Sequence, residues 1–600
     1  MKKLYTLILL LLVSITGLCQ ENSDINLFQN TEEREKISLN GLWDIIVDPL
    51  ENGYYSHRLE PKPDGYFLNK KMKKPSDLVE YNFDTSDQLI VPGDWNTQKD
   101  KLYYYEGTIW YKKDFEYIKD EQENLFLYFG AVNYKAIVYL NGELVGTHEG
   151  GYTPFQFNIT DKVKDGNNFV VVKVDNRRER ENVPTVNQDW WNYGGITRSV
   201  YLVKTPKSFI NDYSVQLSTG NKNEISGWVH VKNSSGNDKV ILEIPELSKK
   251  VEIKINNGLG KFNFKAKPQL WSPTNPKLYK ISMTTTSETL TDEIGFRTIS
   301  TVGSDIILNG KKIFLKGISI HEEAPFKTGR VTTLEESKTL LGWAKELGCN
   351  FIRLAHYPHN EQMVREAEKM GLMVWSEIPV YWTVAFENKN TYKNAENQLS
   401  EMIARDKNRA GVILWSVANE TPEGEDRLQF LDNLIKRARS LDPTRLITAA
   451  LDTQAEGNDG KHIEDALGNL VDVIGINNYC GWYYATPESC AEVKWSSKFD
   501  KPMIMSEVGA GALYGLHGAS DERWTEEYQA NVYENNIEMM KNIDFLAGVS
   551  PWILMDFRSS RRPLKRIQED FNRKGLISEQ GMRKKAFYTL QKYYMNENKD

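Results

Sequence analysis

From about residue 310 onward the chain carries eight near-continuous apolar runs: "KIFLKGIS", "NFIRLAH", "LMVWSEIP", "GVILWSVANE", "LITAAL", "DVIGINNY", "PMIMSEVG" and "AGVSPWILMD". A strand that faces water on one side alternates polar with apolar residues. Unbroken runs therefore mark strands covered on both faces, as in a parallel sheet. Several are preceded by amphipathic helical patterns such as "LEESKTLLGWAKELG", "NEQMVREAEKMG" and "DRLQFLDNLIKRARSLD". Eight strand–helix units predict a (β/α)8 TIM barrel over 301–600. An open doubly wound sheet would need fewer strands and a glycine-rich first turn, and no G-x-G-x-x-G follows the first run.

The full 600 residues exceed what one core organises. Up to about residue 300 the texture is short strands between turns, with "LNGE" placing Asn141–Gly142 at a hairpin. Residues 20–205 read as an N-terminal jelly-roll β-sandwich and 206–300 as an immunoglobulin-like β-sandwich. The 15 Trp and 30 Tyr suit sandwich cores and also suit stacking on sugars. A net charge of −7 gives no footprint for nucleic acid. "MKKLYTLILLLLVSITGLC" has the basic start, apolar stretch and small-residue finish of a signal peptide over 1–19, implying a periplasmic or secreted protein. A lipoprotein reading of Cys19 is weaker, because Leu18 is bulky. No later run is long enough to span a membrane. Cys349, Cys480 and Cys490 are too few for a disulfide framework, although Cys480 and Cys490 could pair locally.

Barrel enzymes carry their chemistry at the carboxyl ends of the strands. Those ends supply His321, then Arg353 and His356, then Glu377, then Asn419 and Glu420. The sixth gives Asn477 and Tyr479 with Tyr483 just beyond, the seventh Glu507, the eighth Trp552 and Asp556. One polar strand end is more often structural than catalytic, but so many in one phase build a pocket. Glu420 and Glu507 end strands on opposite sides of the mouth. Two such carboxylates suit glycosidic bond cleavage, one protonating the leaving oxygen and the other attacking the anomeric carbon. Asn419 can hydrogen-bond a neighbouring sugar hydroxyl. The histidines His321, His356 and His359 invite a metal-hydrolase reading, but no H-E-x-x-H spacing occurs and no metal is expected.

"SVANE" and "IMSEVGAGALYGLH", together with "GTIWYKKDF", "NYGGITRSVYLV", "LNGKKIFLKGISIHEEAP" and "NFIRLAHYPHNEQMVREAEKMGLMVWSEIP", resemble the family 2 glycoside hydrolases over essentially the whole mature chain. The resemblance implies Glu420 as acid/base and Glu507 as nucleophile, and it is compatible with a homo-oligomer. It leans to the β-glucuronidase branch. There "NNYCGWY" would bring Asn477, Tyr479 and Tyr483 to the substrate, "QDWWNYGGI" would bring Asp189 to sugar hydroxyls, and His321 would hold another hydroxyl. Arg353, His356 and Trp552 join the substrate-binding set. "FNRKGL" matches the N-x-K signature, which would place Asn572 and Lys574 on a substrate carboxylate, although a solvated turn could carry the same letters.

The expected partner is an oligosaccharide with a terminal β-linked uronic acid, cleaved with retention and without a cofactor. A β-galactosidase or β-galacturonidase is the alternative, with Met555 and Asp556 as places where specificity could drift. A non-catalytic carbohydrate-binding protein is the remote one. Arg558, Arg561, Arg562 and Arg566 do not align residue by residue with the usual glucuronidase loop; they suit a charged polymer fragment or a basic surface turn equally well.

Overall fold

The computed structural model describes residues 27–62, 72–77, 81–235, 238–452 and 460–596; the leader read at 1–19 lies outside them. Two antiparallel sheets, of four and six strands, form the first sandwich. Their inner faces close on an aromatic and β-branched core that includes Trp43, Trp95, Tyr111, Phe129 and Val172. The predicted hairpin joins Lys135–Leu140 to Glu143–Glu149. Its two turn residues, Asn141 and Gly142, both have positive φ, at 52° and 90°, which is what a tight hairpin matched to strand twist demands. Sheets of three and four strands between Phe209 and Ile294 form the second sandwich.

The barrel strands are Phe351–Leu354, Met373–Glu377, Val412–Asn419, Leu446–Asp452, Val473–Asn477, Met503–Glu507 and Leu546–Val549, all parallel. The first strand is split into Leu315–Lys316, which pairs with the eighth, and Ser319–Ile320, which pairs with the second. The two ends of the sheet are thus halves of one strand, and the barrel is closed. Gly317 makes this passage feasible: a Cβ there would stand 2.4 Å from the Phe351 ring and 2.7 Å from the Val549 carbonyl.

Val412–Asn419 is buried at every position, as its unbroken apolar run predicts. Each fully buried Val, Leu or Ile contributes about 1.5–3 kcal/mol, and such residues fill the strands below the rim. The hairpin Asp305–Leu308/Lys311–Ile313 plugs the bottom, placing Ile306 and Leu308 against Leu315, Phe351, Met373 and Leu414. This packing leaves the top as the end where polar side chains can collect.

Two connections depart from the simple alternation. Among the described residues, the fifth strand is followed by the 3-10 turn Ala466–Asn469 and the sixth by the short helix Pro487–Cys490. The sixth connection is instead closed by a Cys480–Cys490 disulfide, which ties down the loop carrying Trp482 and Tyr483. The first sandwich reaches the mouth through residues 176–199. Arg198 pairs with Glu322 at 2.9 Å in a buried bridge, Tyr193 donates to Glu323 at 3.0 Å, and Trp191 N–H bonds the Arg558 carbonyl at 2.9 Å. Removing one partner from such a buried bridge costs about 3–5 kcal/mol, so the loop is fixed rather than draped.

Candidate active site

Glu420 leaves the fourth strand with φ of 49°, a turn that swings its carboxylate over the mouth. One oxygen accepts from the Trp382 indole N–H at 2.7 Å, the other from the Asn477 amide at 2.8 Å. No cation faces it among the described residues. Burial first, and the Glu507 charge second, push its carboxyl up to about 7.

Glu507 has different company. Arg353 donates to one oxygen at 2.8 Å and the Tyr479 hydroxyl to the other at 2.5 Å. Burial pushes this carboxyl up as well, opposed by the Arg353 charge and by both hydrogen bonds. Charge and hydrogen bonding to the ionised form favour it, and Glu420 has no cation in that place, so the two glutamates sit in different electrostatic surroundings.

Arg353 is fully buried and organises the floor. Its guanidinium donates to both Glu377 oxygens at 3.1 and 3.2 Å, to the Ser506 carbonyl at 3.2 Å and to the Asn419 amide oxygen at 2.7 Å, besides Glu507. Its donors are therefore occupied by protein. Where the strand-end reading put Arg353 on substrate, the structure makes it a positioning residue that aims Asn419 and Glu507. Glu377 is likewise not a rim group; it accepts from Arg353, His356 at 2.8 Å and Trp375 at 2.8 Å. His356 stacks on Trp552 at 4.7 Å, and His321 meets the Tyr357 hydroxyl at 3.0 Å. Burial holds both imidazoles well below their ordinary range, hence neutral. Among the described residues, the buried side-chain atoms left without a hydrogen-bond partner include the Asn419 amide nitrogen and His321 Nε2, both on residues of this site. An unpaired buried donor or acceptor costs about 1–3 kcal/mol, and a bound polyol would remove that cost.

The far wall is a hairpin, Phe557–Arg558 paired with Phe571–Asn572. Asp189 accepts from Ser559 at 2.7 Å, from Asn572 at 3.2 Å and from Arg562. Burial alone would push the Asp189 carboxyl up, but Arg562 and then Lys574 outweigh it and keep it ionised. Lys574 is 4% exposed. Its ammonium donates to the Tyr483 hydroxyl at 2.7 Å and lies over the Tyr479 and Tyr483 rings at 4.9 and 4.7 Å. Among the described residues it has no carboxylate partner.

Asp556, expected at the rim, instead sits fully buried beneath it. It pairs with Lys584 at 2.7 Å and Arg573 at 3.3 Å and accepts from the Gly575 N–H at 2.9 Å. It therefore fixes the backbone on either side of Lys574. Trp382 is missed by the strand-end reading, and Arg562 stands there only among the arginines of the basic loop. Each is placed by a contact with another element, and the local signals are the aromatic pair Tyr381–Trp382 after the third strand and the run "RSSRR".

A closed barrel behind two sandwiches, with two differently dressed glutamates at the ends of its fourth and seventh strands, defines a glycoside hydrolase. The profile for the TIM barrel domain of glycosyl hydrolases family 2 matches residues 299–598, its sugar binding domain 38–206, and a third family 2 profile 202–297. The chain belongs to that family. The β-glucuronidase of Rattus norvegicus is 29% identical over 629 residues, spanning 94% of this chain and 91% of the relative. The solved β-glucuronidase of an uncultured Clostridium superposes with a TM-score of 0.80 at 27% identity, over 94% of this chain and 99% of its own. A β-galacturonidase from Eisenbergiella tayi, bound to galacturonate, shares the fold with a TM-score of 0.77 at 24% identity, over 94% and 98% of the two chains.

Proposed function

We propose that the protein is an exported, retaining exo-β-glucuronidase that removes a terminal uronic acid from oligosaccharides. Glu420 protonates the leaving oxygen while Glu507 attacks the anomeric carbon. Glu420, now the base, then activates water to release the glycosyl-enzyme. The observation that carries the uronide reading is Lys574, a buried ammonium with no anion of its own. Lys574 and Arg562 contribute two positive charges against the one negative charge of Asp189, an excess of one that a uronate carboxylate neutralises. Such charge-assisted contacts are the stronger kind of hydrogen bond. The β-glucuronidase relatives support the same reading. Because Asp189 is held by Arg562, the galacturonide stays in the comparison as the second uronide.

Initial rates on nitrophenyl β-glucuronide, β-galacturonide and β-galactoside decide the branch. They are best measured on protein purified from the periplasm and medium of native cells, whose mature chain should begin at Gln20. The glucuronide is expected fastest. Preference for the galactoside over both uronides, or a chain that keeps Met1, would refute the corresponding part of the proposal.

The pH profile has a definite sign. Glu420 must carry its proton, and with its carboxyl at about 7 that form is present below pH 7 and disappears above it. The kcat/KM for an oligosaccharide should therefore fall through an alkaline limb near pH 7, close to tenfold per unit beyond it. On the acid side, activity should fall as Glu507 takes up a proton. A profile flat to pH 9 would remove Glu420 from the acid role.

A further inference from the structure

We infer that the leaving-group side of this site is built for a sugar that carries an oxyanion, carboxylate or sulfate, with Arg561 as its anchor. The inference rests on the glucuronidase reading above and names the substrate more narrowly.

The side chains locate that subsite. Glu420 is the group that would meet the leaving oxygen, and Trp382 holds it through the indole N–H at 2.7 Å. The space beside Trp382 is therefore where the departing sugar lies. Tyr381 packs against the indole at 4.4 Å between ring centres, and the Arg561 guanidinium lies over it at 4.7 Å.

The arginines of "RSSRR" meet separate fates. Arg558 is stacked on Tyr103 and Trp191 at 4.4 and 4.7 Å, and Arg562 is taken by Asp189. Arg561 is exposed, donates to the Asn187 amide oxygen, and has no carboxylate partner among the described residues. A guanidinium seated over an indole, with one N–H on Asn187, keeps its other N–H groups for the planar fork that suits a carboxylate or a sulfate.

The rest of the loop agrees. Lys565 and Arg566, at the tip of the same hairpin, are exposed, and neither cationic head group makes an ion pair among the described residues, although the Arg566 backbone N–H donates to Glu569. A chain of net charge −7 repels polyanions on average, so a hairpin in which five cations, Arg558, Arg561, Arg562, Lys565 and Arg566, outnumber Glu569 and Asp570 locally reverses that field. A purely structural role for Arg561, as a lid on Trp382, would predict no dependence on the charge of the leaving sugar.

The test compares kcat/KM for wild type, Arg561→Ala and Arg561→Lys on four substrates: nitrophenyl β-glucuronide and three disaccharides with a β-glucuronosyl group on a neutral hexose, a sulfated hexose or a uronic acid. Wild type should favour at least one charged disaccharide over the neutral one by about tenfold. Which of the two is favoured separates sulfate from carboxylate. Arg561→Ala should erase that ratio, Arg561→Lys should keep part of it, and raising salt should shrink it in wild type. A wild type without charge preference, or an Arg561→Ala enzyme that slows on all four substrates by one factor, would overturn the inference and leave the glucuronidase reading standing. Wild type that fails on nitrophenyl β-glucuronide itself would overturn both.

Discussion

Glu507→Gln should lose at least about 10⁴-fold in kcat, the scale seen when a residue of a cooperating catalytic unit is removed, on every substrate however good its leaving group. The amide is nearly isosteric; its oxygen can still accept from Arg353 while its NH2, turned to the other side, donates to the Tyr479 hydroxyl oxygen, so the fold and the floor should survive. What disappears is the electron pair that would bond the anomeric carbon. Glu420→Ala should behave differently. General acid catalysis is worth roughly 10²–10⁴-fold, but a dinitrophenyl leaving group needs no proton, so the first step should proceed and the glycosyl-enzyme should accumulate. Azide, which needs no base, should then enter from the face Glu420 left and give the β-glycosyl azide with restored turnover. The same two variants assign both roles at once, because azide rescue of a nucleophile variant yields the α-azide. Substantial turnover by Glu507→Gln, or an α-azide from Glu420→Ala, would reverse or abolish the assignment.

The different surroundings of this pair have a structural origin that is only half legible in the chain. Glu420 and Glu507 end apolar strands, and a doubly buried strand has no packing reason to finish in a carboxylate; this much could be read from "VILWSVANE" and "PMIMSEVG". Periodicity reports which end of a strand a residue occupies. It does not report whether the side chain leans into the mouth or below it. Arg353, Glu377 and Asp556 share the phase of Glu420 and Glu507, yet all three point into buried ion-paired networks. They were unreadable for one reason: a buried charge is tolerable only with a partner, and the partners come from other strands or from the segment around Lys584. Arg562 and Trp382 are a second kind of omission. Arg562 finds Asp189 across 373 residues of sequence, and Trp382 finds Glu420 across 38. Motif spacing encodes neither contact: the first exists only after the first sandwich has docked on the barrel, and the second only after the third and fourth strands have paired.

That docking is also what gives Lys574 its meaning, and its removal has the second large expected effect. Lys574→Met should lower kcat/KM for nitrophenyl β-glucuronide by roughly 10- to 150-fold, the equivalent of about 1.5–3 kcal/mol for a hydrogen bond to a charged group. The corresponding β-glucoside, which lacks the carboxylate, should lose little or gain. Discrimination between the two, rather than activity alone, is the quantity to follow. Misfolding is a weak rival explanation here. Lys574 occupies a site that is 4% exposed, with a tyrosine hydroxyl and aromatic faces but no counter-ion, so the free protein bears a desolvation cost that an unbranched apolar side chain of similar length does not. Lys574→Met should consequently melt at the same temperature as wild type or higher. The backbone at this point is fixed independently by the Asp556–Lys584 pair and the Asp556–Gly575 hydrogen bond, which the substitution does not touch. A variant that is as stable as wild type, yet loses glucuronide and glucoside activity in equal proportion, would show that the ammonium serves the loop and not the carboxylate, and the uronide specificity would then have to come from somewhere other than the N-x-K turn.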